Sequence, residues 1–354
     1  MLTSVIGVII VFSILILSHE LGHFVAAKWM GVKVEVFSLG FGPRIWSVKR
    51  GDTEYAISAI PLGGFVKMAG EEPGEKRSGA EWEFSSKPIH KRFNIIVAGA
   101  FFNYVLGFIL FCLIFMAGAP VPTSRIGRIL EGYPAEKIGL KENDRILEID
   151  GSQVRYWDDV IGILHQKKEG EITELLVERD GEHLGFTVTG KSEEREDIFG
   201  KPVRIALIGI GHSDEVEFVK YGFLRSVRMG ARTTWNITAA TYKAIWFMLS
   251  GSLSIKEVSG PIGIFAITGE FARKGIVHLL WISGVISVSL AIFNLLPFPI
   301  LDGGHVLFLA VEKLRGRPLA VKVQEKVQQV ALALLITFVV IVSWNDVVKF
   351  FIGK

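Results

Sequence analysis

Cysteine is almost absent from this chain of 354 residues, with Cys112 as the one thiol. A single thiol excludes an intramolecular disulfide and any multi-cysteine metal centre, so a bound metal would have to rest on His, Asp and Glu. Charge is scarce as well. Only 21% of residues are charged and the formal net charge is +3, with the basic residues scattered between apolar segments, a pattern that excludes nucleic acid as a leading partner. No fixed-period repeat and no low-complexity tract is visible. The first apolar run lacks a basic region ahead of it and a clear small-residue cleavage site, so it reads as a retained segment rather than a signal peptide.

What is abundant is apolar sequence. Half of the residues (50%) are hydrophobic and the mean hydropathy is +0.41, which predicts a membrane protein. Spanning a bilayer core of about 30 Å takes roughly 20 mostly apolar helical residues. Stretches at about 3–25, 94–117, 276–298 and 327–351 qualify. The expected fold class is a polytopic α-helical membrane protein with about four transmembrane helices, membrane-associated β-hairpins and one inserted α+β domain.

Residues 31–92 read as strands and turns, because β-branched and aromatic residues alternate there with Gly and Pro. Lys and Arg recur in this loop and again over 313–326, so the positive-inside rule puts both segments in the cytoplasm and the N-terminus outside. Residues 119–215 form a soluble stretch of short strands, expected outside the cytoplasm. Over 216–255, Arg and Thr mix with Trp, Phe and Leu at helical spacing, which suits interfacial amphipathic helices better than a span. The division is therefore 1–118, 119–215, 216–275 and 276–354.

The chemistry lies at the end of the first apolar run, in "SHELGHFVAAK", residues 18–28. On a helix His19 and His23 share one face and can present two imidazole nitrogens to one ion, while Glu20 can reach a water on that ion. This is a zinc-hydrolase arrangement. Ionisable groups at membrane depth cost at least ~2.5 kcal/mol each and usually mark function; the bland alternative is an interfacial helix end where these groups meet water. A third ligand is expected. Asp302 in "FNLLPFPILDGGHVLF", residues 293–308, is the best candidate. The first and third spans run in the same direction, so both motifs emerge on one face. An ordinary Asp-Gly-Gly turn is the alternative for Asp302, and His305 is a lesser ligand candidate. His90, His165, His183, His212 and His278 read as surface or interfacial residues. An ion carrier would use the same histidines but should show polar residues along the other spans, where only Asn103 and Ser343 to Asp346 occur. A non-catalytic scaffold would leave Glu20 unnecessary.

These residues resemble the site-2 protease family of intramembrane zinc metalloproteases. HELGH at 19–23, GFGP at 40–43, PLGGFVKM at 61–68, SGPIGI at 259–264 and NLLPFPILDGG at 294–304 follow one another in the family's order. The resemblance implies that His19, His23 and Asp302 hold Zn(2+) and that Glu20 is the catalytic acid/base. It implies that Asn294 contacts substrate or stabilises the reacting carbonyl. It also implies a membrane-reentrant hairpin over 31–70 that pairs with substrate, with Gly40, Gly42, Gly63 and Gly64 allowing close backbone approach or serving as plain turn glycines. The soluble stretch resembles a PDZ domain through "YPAEKIGLKENDRILEIDGSQV", departing from its pattern at Asn143, where glycine is common. Better-known members carry two tandem PDZ domains; 119–215 has room for one. The implied partners are the lipid bilayer of the bacterial cytoplasmic membrane and transmembrane substrates, such as anti-sigma factors or signal-peptide remnants, already cut by another protease. Oligomeric state is left open.

Overall fold

The protein is described from a computed structural model covering residues 2–71, 78–168, 170–196, 202–252, 254 and 258–349. It divides into two compact units, one of 1–114, 223–248 and 254–354, the other of 115–222 and 249–253.

In the first unit, α1 (Leu2–Trp29), α2 (Ile89–Ala117), α7 (Ile276–Asn294) and α9 (Val321–Val347) are, among the described residues, the four helices long and apolar enough to cross a membrane. Their ends differ from the hydropathy limits for local reasons. α1 runs past residue 25 until Gly31, whose φ of +73° ends helical geometry. α7 stops at Asn294 rather than 298, because Pro297 and Pro299 cannot continue it. α9 begins at Val321 rather than 327, since "VKVQEK" is polar but helix-compatible. Further helices belong to the same unit. α5 (Phe223–Leu249) and α6 (Pro261–Lys274) occupy the region expected to hold interfacial helices, and α6 lies against α1, with Phe12 and Phe265 ring centroids 4.7 Å apart.

β1 (Val34–Arg50) and β2 (Thr53–Met68) form a single hairpin that folds back on itself. The first half of β1 pairs twice, antiparallel with 64–68 (Val34↔Met68 to Leu39↔Gly64) and in the same direction with 54–57 (Val36↔Glu54 to Leu39↔Ile57). The second half of β1 covers 53–58 from the other side. The spatial order is therefore 64–68, 34–39, 53–58, 44–50. Glycine makes the fold-back possible: at Gly63 (φ +132°) a Cβ would fall on the Phe41 ring.

The second unit reaches residue 222 rather than 215. β3 (Ala119–Pro122) pairs with β12 (Val216–Val219), so 216–219 closes this unit instead of starting the interfacial helices. Its main sheet has the order β6 (Ser152–Gln153), β5 (Arg145–Ile149), β7 (Ile172–Arg179), β8 (Glu182–Thr189). Helices α3 (Pro134–Lys137) and α4 (Trp157–Leu164) cover a core that includes Ile126, Ile146, Ile149, Val160 and Val177. Asn143 takes φ +73°, the left-handed turn geometry that Asn tolerates in place of glycine.

Candidate metal centre

Helical spacing puts His19 and His23 on one face of α1, their Nε2 atoms 3.2 Å apart. The His23 ring is fixed from behind: its Nδ1 lies 2.9 Å from the Ile95 carbonyl, buried. Donation there makes Nδ1 the protonated nitrogen and leaves the Nε2 lone pair free for a metal. α2 comes this close because of glycine. At Gly99 a Cβ would collide with His23 Nε2 and stand 2.8 Å from His19 Cε1, and at Gly22 it would collide with the Ala98 carbonyl.

Asp302 is the first residue of α8 (Asp302–Arg315). The loop after α7 turns on short backbone bonds, Phe298 N to Leu296 O at 2.7 Å and Leu301 N to Phe298 O at 2.9 Å. α8 then starts tucked beneath it. Side chains at Gly303 and Gly304 would collide with the carbonyls of Leu296 and Phe298, so these glycines serve a close approach, beyond what a solvent-facing turn requires.

That tuck carries Asp302 Oδ2 to 3.3 Å from His19 Nε2 and 3.5 Å from His23 Nε2. Tetrahedral zinc with bonds of about 2.0–2.1 Å needs ligand atoms roughly 3.3 Å apart. The three separations, 3.2, 3.3 and 3.5 Å, match that requirement. Among the described residues His19, His23 and Asp302 are the group able to hold one ion, and Asp302 Oδ2 is buried without a hydrogen-bond partner. The donor set, two imidazoles and a carboxylate without thiolate, suits catalytic zinc with an open position. Burial works to raise the Asp302 carboxyl, but the facing histidines prevail and hold it well below the usual carboxylate range.

Glu20 is beside this set rather than in it, with the Val66 N–H against its carboxylate. Gly64 lies next to Glu20, and its missing side chain serves the strand pairing, since a Cβ there would stand 2.8 Å from the Ser38 carbonyl oxygen. Asn294, at the C-terminal end of α7, has its amide 3.4 Å from His19 Nδ1. His305 lies outside the three-ligand group; it faces Phe308 and its burial keeps the imidazole below the ordinary histidine range. Gly40, Gly42 and Gly63 sit at bends of the β1–β2 hairpin, Gly40 against Ile60 and Gly63 against Phe41.

A cavity of about 390 Å³ is lined by His19, Glu20, His23 and Asp302. Phe65, Val66 and Met68 line it on the sheet side. Across it, Arg92 of α2 grips Glu312 of α8 with two bonds, at 3.0 and 2.5 Å. Sequence reasoning did not find Gly99, Ile95 or the Arg92–Glu312 pair. Gly99 had a signal in the small residues of "AGA" at 98–100, a mark of close helix packing in membranes; the ion pair, 220 residues apart in the chain, had none.

Residues 7–338 match the family described as "Peptidase family M50". A protein of Fusobacterium nucleatum subsp. nucleatum that carries a zinc-metalloprotease name is 34% identical over 348 residues, 97% of this chain and 98% of its own. The regulator of sigma-W protease RasP of Bacillus subtilis is 28% identical over 428 residues, 99% of each. A solved PDZ domain of an SdrC-like protein from Listeria innocua shares 24% identity over 26% of this chain and 96% of its own, with a TM-score of 0.21, too low to assign a fold.

Proposed function

The chain belongs to Peptidase family M50, and from that premise we propose that His19, His23 and Asp302 hold its zinc, that Glu20 moves the protons, and that the substrates are transmembrane segments of other membrane proteins. The protein is a zinc metallopeptidase of the membrane. The observation that carries the residue assignment is the trio of ligand atoms 3.2–3.5 Å apart at the floor of a 390 Å³ cavity.

Bound zinc supplies Lewis acidity toward the attacking water and the scissile carbonyl. Glu20 takes the proton of that water and passes it to the leaving amide nitrogen, so one carboxylate serves as base and then acid. Ile95 O holds the His23 imidazole in the tautomer that leaves Nε2 free. The Asn294 side-chain nitrogen, 3.4 Å from His19 Nδ1, orients the other ring.

A helical substrate hides its peptide bonds in its own hydrogen bonds and must unwind before hydrolysis. Among the described residues, 64–68 pair in the sheet with 34–39 alone, which leaves their other edge on the side of Glu20, whose carboxylate takes the Val66 N–H. An unwound segment can add to that edge. The 115–222 unit serves as the single PDZ-like domain, acting more as a steric screen against bulky ectodomains than as a peptide trap. It and the N-terminus lie outside the cytoplasm of a bacterial cell, with the site toward the cytoplasmic side of the inner membrane, so substrates arrive after another protease has removed their outer domain. Anti-sigma factors and signal-peptide remnants fit that description.

The test is zinc per purified chain together with cleavage of a single-span reporter in liposomes. Wild type should hold one zinc, His23→Ala and Asp302→Ala should lose it, and Glu20→Gln should keep it while cleavage falls about 10²–10⁴-fold. Undiminished cleavage by Glu20→Gln would sink the acid/base assignment. A reporter with its ectodomain removed should be cut faster than the full-length form.

A further inference from the structure

A second concavity lies apart from the metal centre, between the α7–α8 loop and α9. It is an apolar groove of about 620 Å³. Phe298 and Pro299 make one wall; Val323, Val327, Val330 and Leu334 make the other. Those four recur at i, i+4, i+7 and i+11, a single stripe on α9. Eleven residues of helix rise about 16 Å, close to the ~15 Å hydrocarbon depth of one leaflet. Lys322 and Lys326 line the same groove at the N-terminal end of α9, where the chain begins its fourth candidate span. Among the described residues neither lysine has an acidic partner.

An apolar channel one leaflet deep, lined at one end by two lysines that have no acidic partner among the described residues, is the complement of an amphiphile with an anionic head. We propose that this groove binds an anionic phospholipid, with one acyl chain along the Val323–Leu334 stripe and the phosphate between Lys322 and Lys326. The long lysine stems can lie on apolar surface while their ammonium groups stay at the headgroup level. A substrate helix fits less well, because a spanning helix extends about 30 Å and is 10–12 Å wide. The lipid has a structural consequence. Phe298 and Pro299 belong to the loop joining Asn294 to Asp302, so a seated chain packs against the back of the segment that positions a metal ligand. The proposal depends on α9 lying in the membrane and is independent of the peptidase chemistry.

The full chain, stripped of lipid in detergent, would be titrated with phosphatidylglycerol and with phosphatidylcholine, and bound lipid counted by native mass spectrometry. One phosphatidylglycerol should bind in preference to phosphatidylcholine. Lys322→Gln/Lys326→Gln should weaken phosphatidylglycerol about thirtyfold, roughly fivefold per lysine, while Lys322→Arg/Lys326→Arg keeps the preference. Val327→Trp, which fills the groove, should weaken both lipids. The thermal midpoint of each variant in detergent monitors its fold. Equal affinity for the two lipids, an unaffected Gln double variant, full competition by inorganic phosphate, or a photo-crosslinker at Val327 that captures protein instead of lipid in membranes would overturn the proposal.

Discussion

His19 and Asn294 show how a residue's role is set by what stands behind it. The Asn294 side-chain nitrogen, 3.4 Å from His19 Nδ1, offers an orienting part beside the one the resemblance implies, contact with substrate or stabilisation of the reacting carbonyl. The two parts separate by measurement. Asn294→Ala should lower metal affinity about 10–100-fold in a chelator competition if it orients His19; a loss of turnover with zinc affinity intact would return it to the substrate. Gly99 is a second residue-scale case. Its absent side chain admits both imidazoles, so Gly99→Ala should cut zinc retention about tenfold or more, as misplaced supporting groups do in metal sites. Gly162→Ala, where a Cβ meets nothing within 4 Å, should leave zinc unchanged.

Elements in the first unit are tied by polar contacts that are few and buried. Asp346 of α9, 2% exposed, accepts the Gly260 N–H at 3.1 Å and the Gly263 N–H at 2.8 Å. It caps the start of α6 from another helix. The glycines of the SGPIGI segment are what let it approach, since a Cβ at either would stand 2.8 Å from an Asp346 oxygen. α6 in turn packs on α1, where a Cβ at Gly7 would lie 2.9 Å from Ala272 Cβ. Asp346→Ala leaves two buried donors unsatisfied and should cost on the order of 2–4 kcal/mol, read as a fall in thermal midpoint, with Asp346→Asn recovering part. The Arg92–Glu312 pair is similar in kind, its side chains only 13% and 16% exposed. Arg92→Ala alone should destabilise by about 2 kcal/mol or more, whereas Arg92→Met/Glu312→Leu should be nearly neutral, because removing both charges leaves none stranded.

At the scale of the whole molecule the proposed ligands all belong to one unit. His19, His23 and Asp302 fall within 1–114 and 254–354, while 115–222 contributes none. The ends of that inserted unit are joined by the antiparallel pair β3–β12, Ala119 opposite Val219. Replacing 120–218 with a short Gly-Ser linker should therefore preserve one zinc per chain, measured by metal analysis, and should relax discrimination against reporters with large ectodomains. Zinc loss on excision would show that the site needs the inserted unit.

The sequence alone determined the apolar spans, the helix face shared by His19 and His23, and the need for a third ligand without sulfur. These rest on local periodicity and composition, and physical rules of short range are enough to read them. It also pointed to Asp302, through the direction of two spans and a helix-breaking run of Asn and Pro. Tertiary structure decided the rest. The approach of Asp302 to His19 and His23, the placement of 216–219 in the inserted unit, and the contacts of Gly99, Arg92 and Asp346 depend on groups meeting across roughly 70 to 280 residues of chain, and the fold-back of β1 and β2 into a four-segment order on pairings across roughly 18 to 34. No local pattern encodes such meetings, because they follow from how rigid helices pack and from where a missing side chain lets two backbones come close.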